Sequence, residues 1–112
     1  MQYLVTMDYV DPGPMLAPQQ IVGMERTAVL PGLEALARLE SEGKILGGGL
    51  PVGERAIAFV VEADSNKELD ELLVDLPLWG IVRTKVTPLH RFEDRLEQDR
   101  QLTEHLEQSL QQ

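Results

Sequence analysis

The sequence predicts a single α+β domain built on a four-stranded antiparallel sheet, and three observations lead there. Short β-prone segments alternate with amphipathic helical ones in the order strand, helix, strand, strand, helix, strand. Turn and cap signals fall between them where the order requires a reversal. The chain, 112 residues with 43% apolar residues, is long enough for one core and too short for two.

Tyr3 to Tyr9 is rich in β-branched and aromatic residues and reads as the first strand, ended by Asp11-Pro12-Gly13-Pro14, which extends neither a ladder nor a helix. From Pro18 to Glu42, Val22, Val29, Leu33, Leu36 and Leu39 recur at helical spacing and predict one buried stripe. Pro31-Gly32 lies inside that helix. A proline there removes a backbone bond and crowds the preceding turn, so a kink or a break is expected. Gly43 suits the terminus.

Lys44 to Leu50 is a glycine-rich second strand whose Gly47-Gly48-Gly49 suits close approach of another backbone or a ligand. Pro51 to Glu54 reads as a reversal, and Arg55 to Ala63 as a third strand pairing with the second in a hairpin. Ser65 and Glu68 stand at capping-box spacing ahead of Leu69, Leu72, Leu73 and Leu76, and Pro77 stops this second helix. Ile81 to Thr87 is the fourth strand, which Pro88 ends or confines to a sheet edge.

This order is the split βαβ arrangement of ferredoxin-like domains, βαββαβ. Both helices cover one sheet face. The other face then requires a second copy of the chain or the tail, so a homodimer or larger ring is expected. Residues 92–112 form an acidic C-terminal helical tail beyond the domain of residues 1–91, with Leu96, Leu102, Leu106 and Leu110 in a narrow stripe that must dock on a neighbouring subunit or fray.

Nineteen acids against ten bases leave a net charge of −9, which disfavours nucleic acid and anionic membranes as partners. No cysteine is present, so disulfides and thiolate metal sites are excluded and a cytoplasmic setting is expected. The N-terminal segment lacks a basic region, and Asp8 cuts its apolar run short of a membrane span or signal core. Gly47-Gly48-Gly49 lacks the ending of a phosphate loop, and no His or carboxylate spacing points to a metal.

Among candidate site residues, His90 ends the fourth strand with an imidazole suited to proton exchange near neutral pH, or is a half-exposed strand-end histidine. Arg83 and Lys85 share a strand face by period two and can hold a carboxylate together, or can guard an edge strand against pairing. Glu25, beside Arg26 in the first helix, can act as a base if it faces a dry cavity, or can be a solvated helix flank. Trp79, between Leu78 and Gly80, either anchors the corner before the fourth strand or walls a pocket. Asp8 and Glu34 are weaker candidates, and His105 lies in the polar tail.

Residues 64–91, above all Leu76-Pro77-Leu78 and Val86-Thr87-Pro88-Leu89, resemble the C-terminal half of muconolactone isomerases. With the element order, the resemblance extends to residues 1–91. It implies a dimeric α+β barrel assembled into rings, a role in aromatic catabolism, and proton transfer that moves a double bond in an acidic lactone-type metabolite without metal or cofactor. Such chemistry needs a base at the acidified C–H, donors for the enolate oxygen and a cation for the carboxylate. In the reading as such an enzyme, the residues weighed above supply these roles: His90 or Glu25 as proton carrier, Arg83, Lys85 or Arg91 as anion clamp and Trp79 at the substrate. The chain departs from the family at its second strand, where Ile45 to Leu50 carries none of the usual His, Trp and Arg. It departs again near Gly32 and Leu33, where an acid and a lysine are expected and only Glu34 stands nearby. The glycine pair also resembles other dimeric-barrel relatives, including YCII-like proteins. A noncatalytic ligand-binding or assembly module on the same barrel is the alternative.

Overall fold

A computed structural model describes residues 1–10 and 17–111. The segment Asp11 to Pro14, expected as the exit loop of the first strand, lies outside the described residues. The elements are β1 (Gln2–Tyr9), α1 (Pro18–Met24), a π-helical turn (Glu25–Val29), α2 (Leu30–Ser41), β2 (Ile45–Gly49), β3 (Ala56–Glu62), α3 (Asn66–Val74), a 3-10 turn (Trp79–Ile81), β4 (Val82–Leu89) and α4 (Phe92–Leu110). The strands form one antiparallel sheet in the order β2-β3-β1-β4, so the fold is the expected ferredoxin-like α+β arrangement with an added C-terminal helix.

Strand periodicity divides the sheet into two unlike faces. Tyr3, Val5 and Met7 of β1 are fully buried beneath the helices, in register with Val61, Phe59 and Ile57 of β3. Leu36, Leu69, Leu73, Leu76 and Leu78 close the core from the helical side. The opposite face presents Leu4, Thr6 and Asp8 of β1, with Ala58 and Val60 of β3 and Arg83, Lys85 and Thr87 of β4 beside them.

Pro31 acts upstream of itself. Having no N–H for the carbonyl four residues back, it leaves the helix to widen, and the Leu30 N–H bonds the Glu25 carbonyl in π geometry. The widened turn adds roughly one residue, which rotates α1 by about 100° relative to α2. That rotation corrects one expectation: helical spacing puts Val22 on the buried stripe with Val29 and Leu36, but it stands 58% exposed. Gly32 follows as the close-packing point, since a Cβ there would overlap the Leu78 side chain.

At the N-terminus of α3 the Ser65 hydroxyl accepts the Glu68 N–H at 3.1 Å, and the Glu68 carboxylate accepts the Asp64 N–H at 3.0 Å. Ser65→Ala is expected to cost about 1 kcal/mol, the usual loss for such a cap. Urea denaturation checks it, and an unchanged midpoint would show that solvent replaces the cap at no cost. The Tyr3 hydroxyl donates to Asn66 Oδ1 at 2.8 Å, fastening the first turn of α3 to β1.

β4 runs through Pro88 to Leu89 rather than stopping before the proline. Because β4 is an edge strand, the missing N–H removes no bond to a further strand. At the other edge, β2 bulges between Ile45 and Gly47. Gly48 takes φ +150°, and a Cβ there would run into the Ala58 carbonyl oxygen and the Phe59 Cα. Of the three glycines, Gly48 is thus the one required for close backbone approach, whereas added Cβ atoms at Gly47 and Gly49 would meet open space.

Candidate functional site at the widened turn

β1 ends on Tyr9, whose parity puts it on the same face as Met7 and Val5, toward the helices. Thr84 of β4 stands opposite Met7, hence on that face and diagonal to Tyr9. Both side chains end in polar atoms under the helical layer. Tyr9 Oη and Thr84 Oγ1 are buried and have no hydrogen-bond partner among the described residues. A buried hydroxyl left unpaired costs on the order of 1–3 kcal/mol, so two such groups side by side are a costly feature unless something bonds them.

Glu25 opens the π-helical turn and is half-buried. Burial, with the Glu25 charge adding to it, pushes the Tyr9 phenol above its ordinary pKa. The phenol therefore stays protonated at neutral pH and keeps an O–H to donate. A pKa raised in the folded state contributes stability that is complete below the ordinary tyrosine value and disappears as pH rises through the folded value. Glu25→Gln removes the charge contribution and leaves burial, so the Tyr9 titration is expected to move down while remaining above that of a free tyrosine. NMR titration of labelled tyrosine reads this directly, and an unmoved Tyr9 resonance would show that Glu25 does not act on the phenol. π-helical turns recur at functional sites because the wider coil re-aims side chains; here it does so for Glu25.

The corner preceding β4 belongs to the same end of the sheet. Val10 N–H donates to the Ile81 carbonyl at 2.9 Å, tying the 3-10 turn to the chain just beyond Tyr9. Trp79 sits on that turn with 39% of its surface exposed, and the anchor of the corner is its neighbour Leu78, which is 0% exposed against Gly32. The expectation that Trp79 anchors the corner is corrected accordingly: the proline-ended helix turns Leu78 inward and leaves the indole at the rim.

The other candidates stand elsewhere. Arg83 and Lys85 face Asp8 and Thr6 in register on the open side of the sheet, away from Glu25 and Tyr9. His90 follows β4 and Arg91 precedes α4, at the end where Leu89 pairs with Gln2. Seven strand steps separate Gln2 from Tyr9, about 23 Å at 3.3 Å per residue, so His90 and Glu25 do not share one site within a protomer. The N-terminal ammonium bonds Glu62 at 2.9 Å and holds its carboxyl below the ordinary range, and the Arg91 charge adds to this. An open cleft of about 610 Å³ at this end is bordered by Gln2, Leu89, His90 and Arg91. A smaller groove of about 200 Å³ between α2 and the glycine strand is lined mainly by Leu33, Leu36, Ile57 and Phe59 and offers few polar groups.

Tyr9 and Thr84 are the two residues that sequence reasoning did not single out. Their signal was available as parity: each places a hydroxyl on a strand face otherwise made of Tyr3, Val5 and Met7 in β1 or Val82, Val86 and Pro88 in β4. What no periodicity reveals is that both hydroxyls are left without partners among the described residues, with Tyr9 near the widened helix.

Among solved structures, the fold is similar to that of muconolactone isomerase, with 25% identity and a TM-score of 0.65 over 81% of this chain and 90% of that one. It is also similar to the 5-chloro-2-hydroxyhydroquinone dehydrochlorinase of Burkholderia phenoliruptrix in complex with 2,5-dihydroxybenzoquinone. That match has 20% identity and a TM-score of 0.58 over 84% of this chain and 98% of that one, a likeness of fold alone. No curated protein matches the sequence. The muconolactone delta-isomerase family matches residues 1–95, a span that holds the whole sheet, the π-helical turn and the first residues of α4. With that span covered, the chain belongs to the muconolactone delta-isomerase family.

Proposed function

We propose that the protein is a muconolactone isomerase-like enzyme that moves a double bond in an acidic lactone-type metabolite by proton transfer. The observation that carries this reading is the pair of unpartnered hydroxyls on neighbouring strands, Tyr9 Oη and Thr84 Oγ1, the first of them close enough to Glu25 at the widened turn to feel its charge. In this scheme the Glu25 carboxylate takes the proton from the acidified ring carbon, and the electron pair moves into the conjugated system onto the carbonyl oxygen. The two hydroxyls donate to the enolate oxygen so formed. The protonated Glu25 then returns its proton to the other end of the conjugated system, so protons and electrons balance within the substrate and one side chain. Neither metal nor cofactor enters the scheme.

The substrate carboxylate requires a cation, and Arg83, Lys85 and Arg91 are the proposed clamp, with His90 as a second proton carrier and Trp79 at the rim. Arg83 and Lys85 stand on the open sheet face and Arg91 at the far end of the strands, so a neighbouring copy in a larger ring, not the barrel partner seated on the open face, is the proposed means of bringing a cation to Glu25. Leu4, Ala58 and Val60 make the centre of that open face apolar, which supports self-association through it into a dimeric barrel of residues 1–91, with residues 92–112 as an added tail. A dimer or larger is expected by light scattering, and a monodisperse monomer would remove the shared barrel. A cytoplasmic location is proposed with this chemistry; among the described residues no helix is long and apolar enough to cross a membrane.

The test is incubation of the folded protein with muconolactone, following double-bond migration by NMR. Turnover above buffer is expected. The apolar second strand, Ile45 to Leu50, favours the alternative of a noncatalytic binding or assembly module, and muconolactone bound without turnover would establish that alternative instead.

A further inference from the structure

We propose that α4 pairs antiparallel with α4 of a second copy of this chain, making a two-helix seam that joins protomers independently of their sheets. The family match ends at residue 95, one turn into α4, so most of this helix lies outside it.

None of the residues of α4 is buried, and Phe92, Leu96, Leu102, Leu106 and Leu110 are all more than half exposed. At about 100° per residue these five side chains fall within an arc of roughly 120°, the width of a docking stripe. The helix projects instead of folding back: the radius of gyration is 19.6 Å and the long axis 73 Å, against about 13 Å expected for the radius of a compact chain of this length. A solitary helix of 19 residues with such a stripe is marginal in water. Something covers it.

The sequence of the helix indicates what does. Its apolar positions are nearly palindromic about Gln101. In an antiparallel pair centred there, Phe92 meets Leu110 of the partner subunit and Leu96 meets Leu106 of the partner subunit. Leu102 lies next to the two-fold axis. Arg95, which holds Asp99 at 3.0 Å within its own helix, comes opposite Glu107 of the partner subunit. Parallel pairing would set Asp99, at the centre of the stripe, against its own copy and bring the Glu107 side chains at its flank together, whereas antiparallel pairing puts Asp99 opposite Thr103 of the partner subunit. In a helix with six carboxylates and two arginines, the parallel arrangement is the costlier one. The same acidic excess disfavours an anionic membrane as the cover. At about 28 Å, the helix is long enough for the five apolar residues to form a continuous seam with their symmetry mates.

The chain has no cysteine, so introduced ones report cleanly. Full-length Leu96→Cys and Leu106→Cys chains, co-expressed and mildly oxidised, are expected to give a disulfide-linked dimer containing one of each, while neither variant alone cross-links at its introduced site. Cross-linking within each variant alone would establish parallel pairing and overturn the proposal, as would no cross-link in any combination. Independently, the double variant Leu96→Glu/Leu106→Glu should lower the assembly mass in light scattering at least twofold while the melting of the sheet domain is retained. An unchanged mass overturns the seam. Neither readout depends on catalysis, so the seam and the isomerase reading stand or fall separately.

Discussion

Glu25→Gln is expected to lower the rate of double-bond migration by about 10²- to 10⁴-fold, the usual contribution of a positioned proton carrier. The amide keeps the size and hydrogen-bonding reach of the carboxylate but cannot take the proton. Because Glu25 is half-buried at the start of the π-helical turn and makes no recorded ion pair among the described residues, the exchange should leave the fold intact. Tyr9→Phe separates the roles further. It removes the proposed donor to the enolate oxygen and one unpaired buried hydroxyl together, so the rate should fall while stability holds or rises. If Glu25→Gln turns over muconolactone as fast as the parent, the base is another group, and His90 at the far end of the strands becomes the candidate to test by His90→Gln.

The second large effect concerns the corner that holds this end of the molecule together. Leu78→Ala is expected to cost about 3–5 kcal/mol, since Leu78 is 0% exposed and its removal leaves a cavity against Gly32. Gly32→Ala should cost about 1–3 kcal/mol by overpacking, despite the roughly 1 kcal/mol that alanine gains over glycine in a helix. The two changes are complementary in shape, because the added methyl at position 32 points into the space that Leu78 vacates. The double variant should therefore be markedly less destabilised than the sum of the singles, a coupling of 0.5–3 kcal/mol being typical of residues in contact. Urea denaturation of all four chains closes the cycle, and strict additivity would mean that the helix and corner do not touch as described. The same corner carries the Val10 to Ile81 backbone bond next to Tyr9, so Leu78→Ala should also reduce activity, whereas Ser65→Ala should not.

The fold was legible because each element carries a local signal that agrees with its neighbours. The parity of Tyr3 to Tyr9, the leucine spacing of α3 behind its Ser65 cap and the proline stop at Pro77 all point to one arrangement. Val22 shows where such reasoning fails. Helical spacing assumes a constant 3.6 residues per turn, and the widening upstream of Pro31 breaks that assumption, so α1 turns away from the core while α2 faces it. The proline announced a disturbance but not its form, since a kink, a break and a π-helical turn all satisfy the missing N–H.

The candidate site was less legible for a related reason. Arg83 and Lys85 were correctly placed on one strand face by period two, and Glu25 was singled out by its residue type and position in the helix. Which face of the sheet each belonged to depends on where the helices pack, and helix packing puts Glu25 near Tyr9, on the sheet face that also carries Thr84, and leaves the two cations behind the sheet. Trp79 drew attention by its size, yet the corner turns on Leu78.

Taken alone, the sequence determined the element order and the membership of this chain among muconolactone isomerase-like proteins, because those follow from local periodicity and short motifs. The tertiary structure alone decided that two hydroxyls on neighbouring strands end up buried without partners among the described residues, one of them near a carboxylate, and that α4 stands clear of its own domain. Burial and pairing are properties of how elements pack, and no stretch of sequence contains the surfaces that meet.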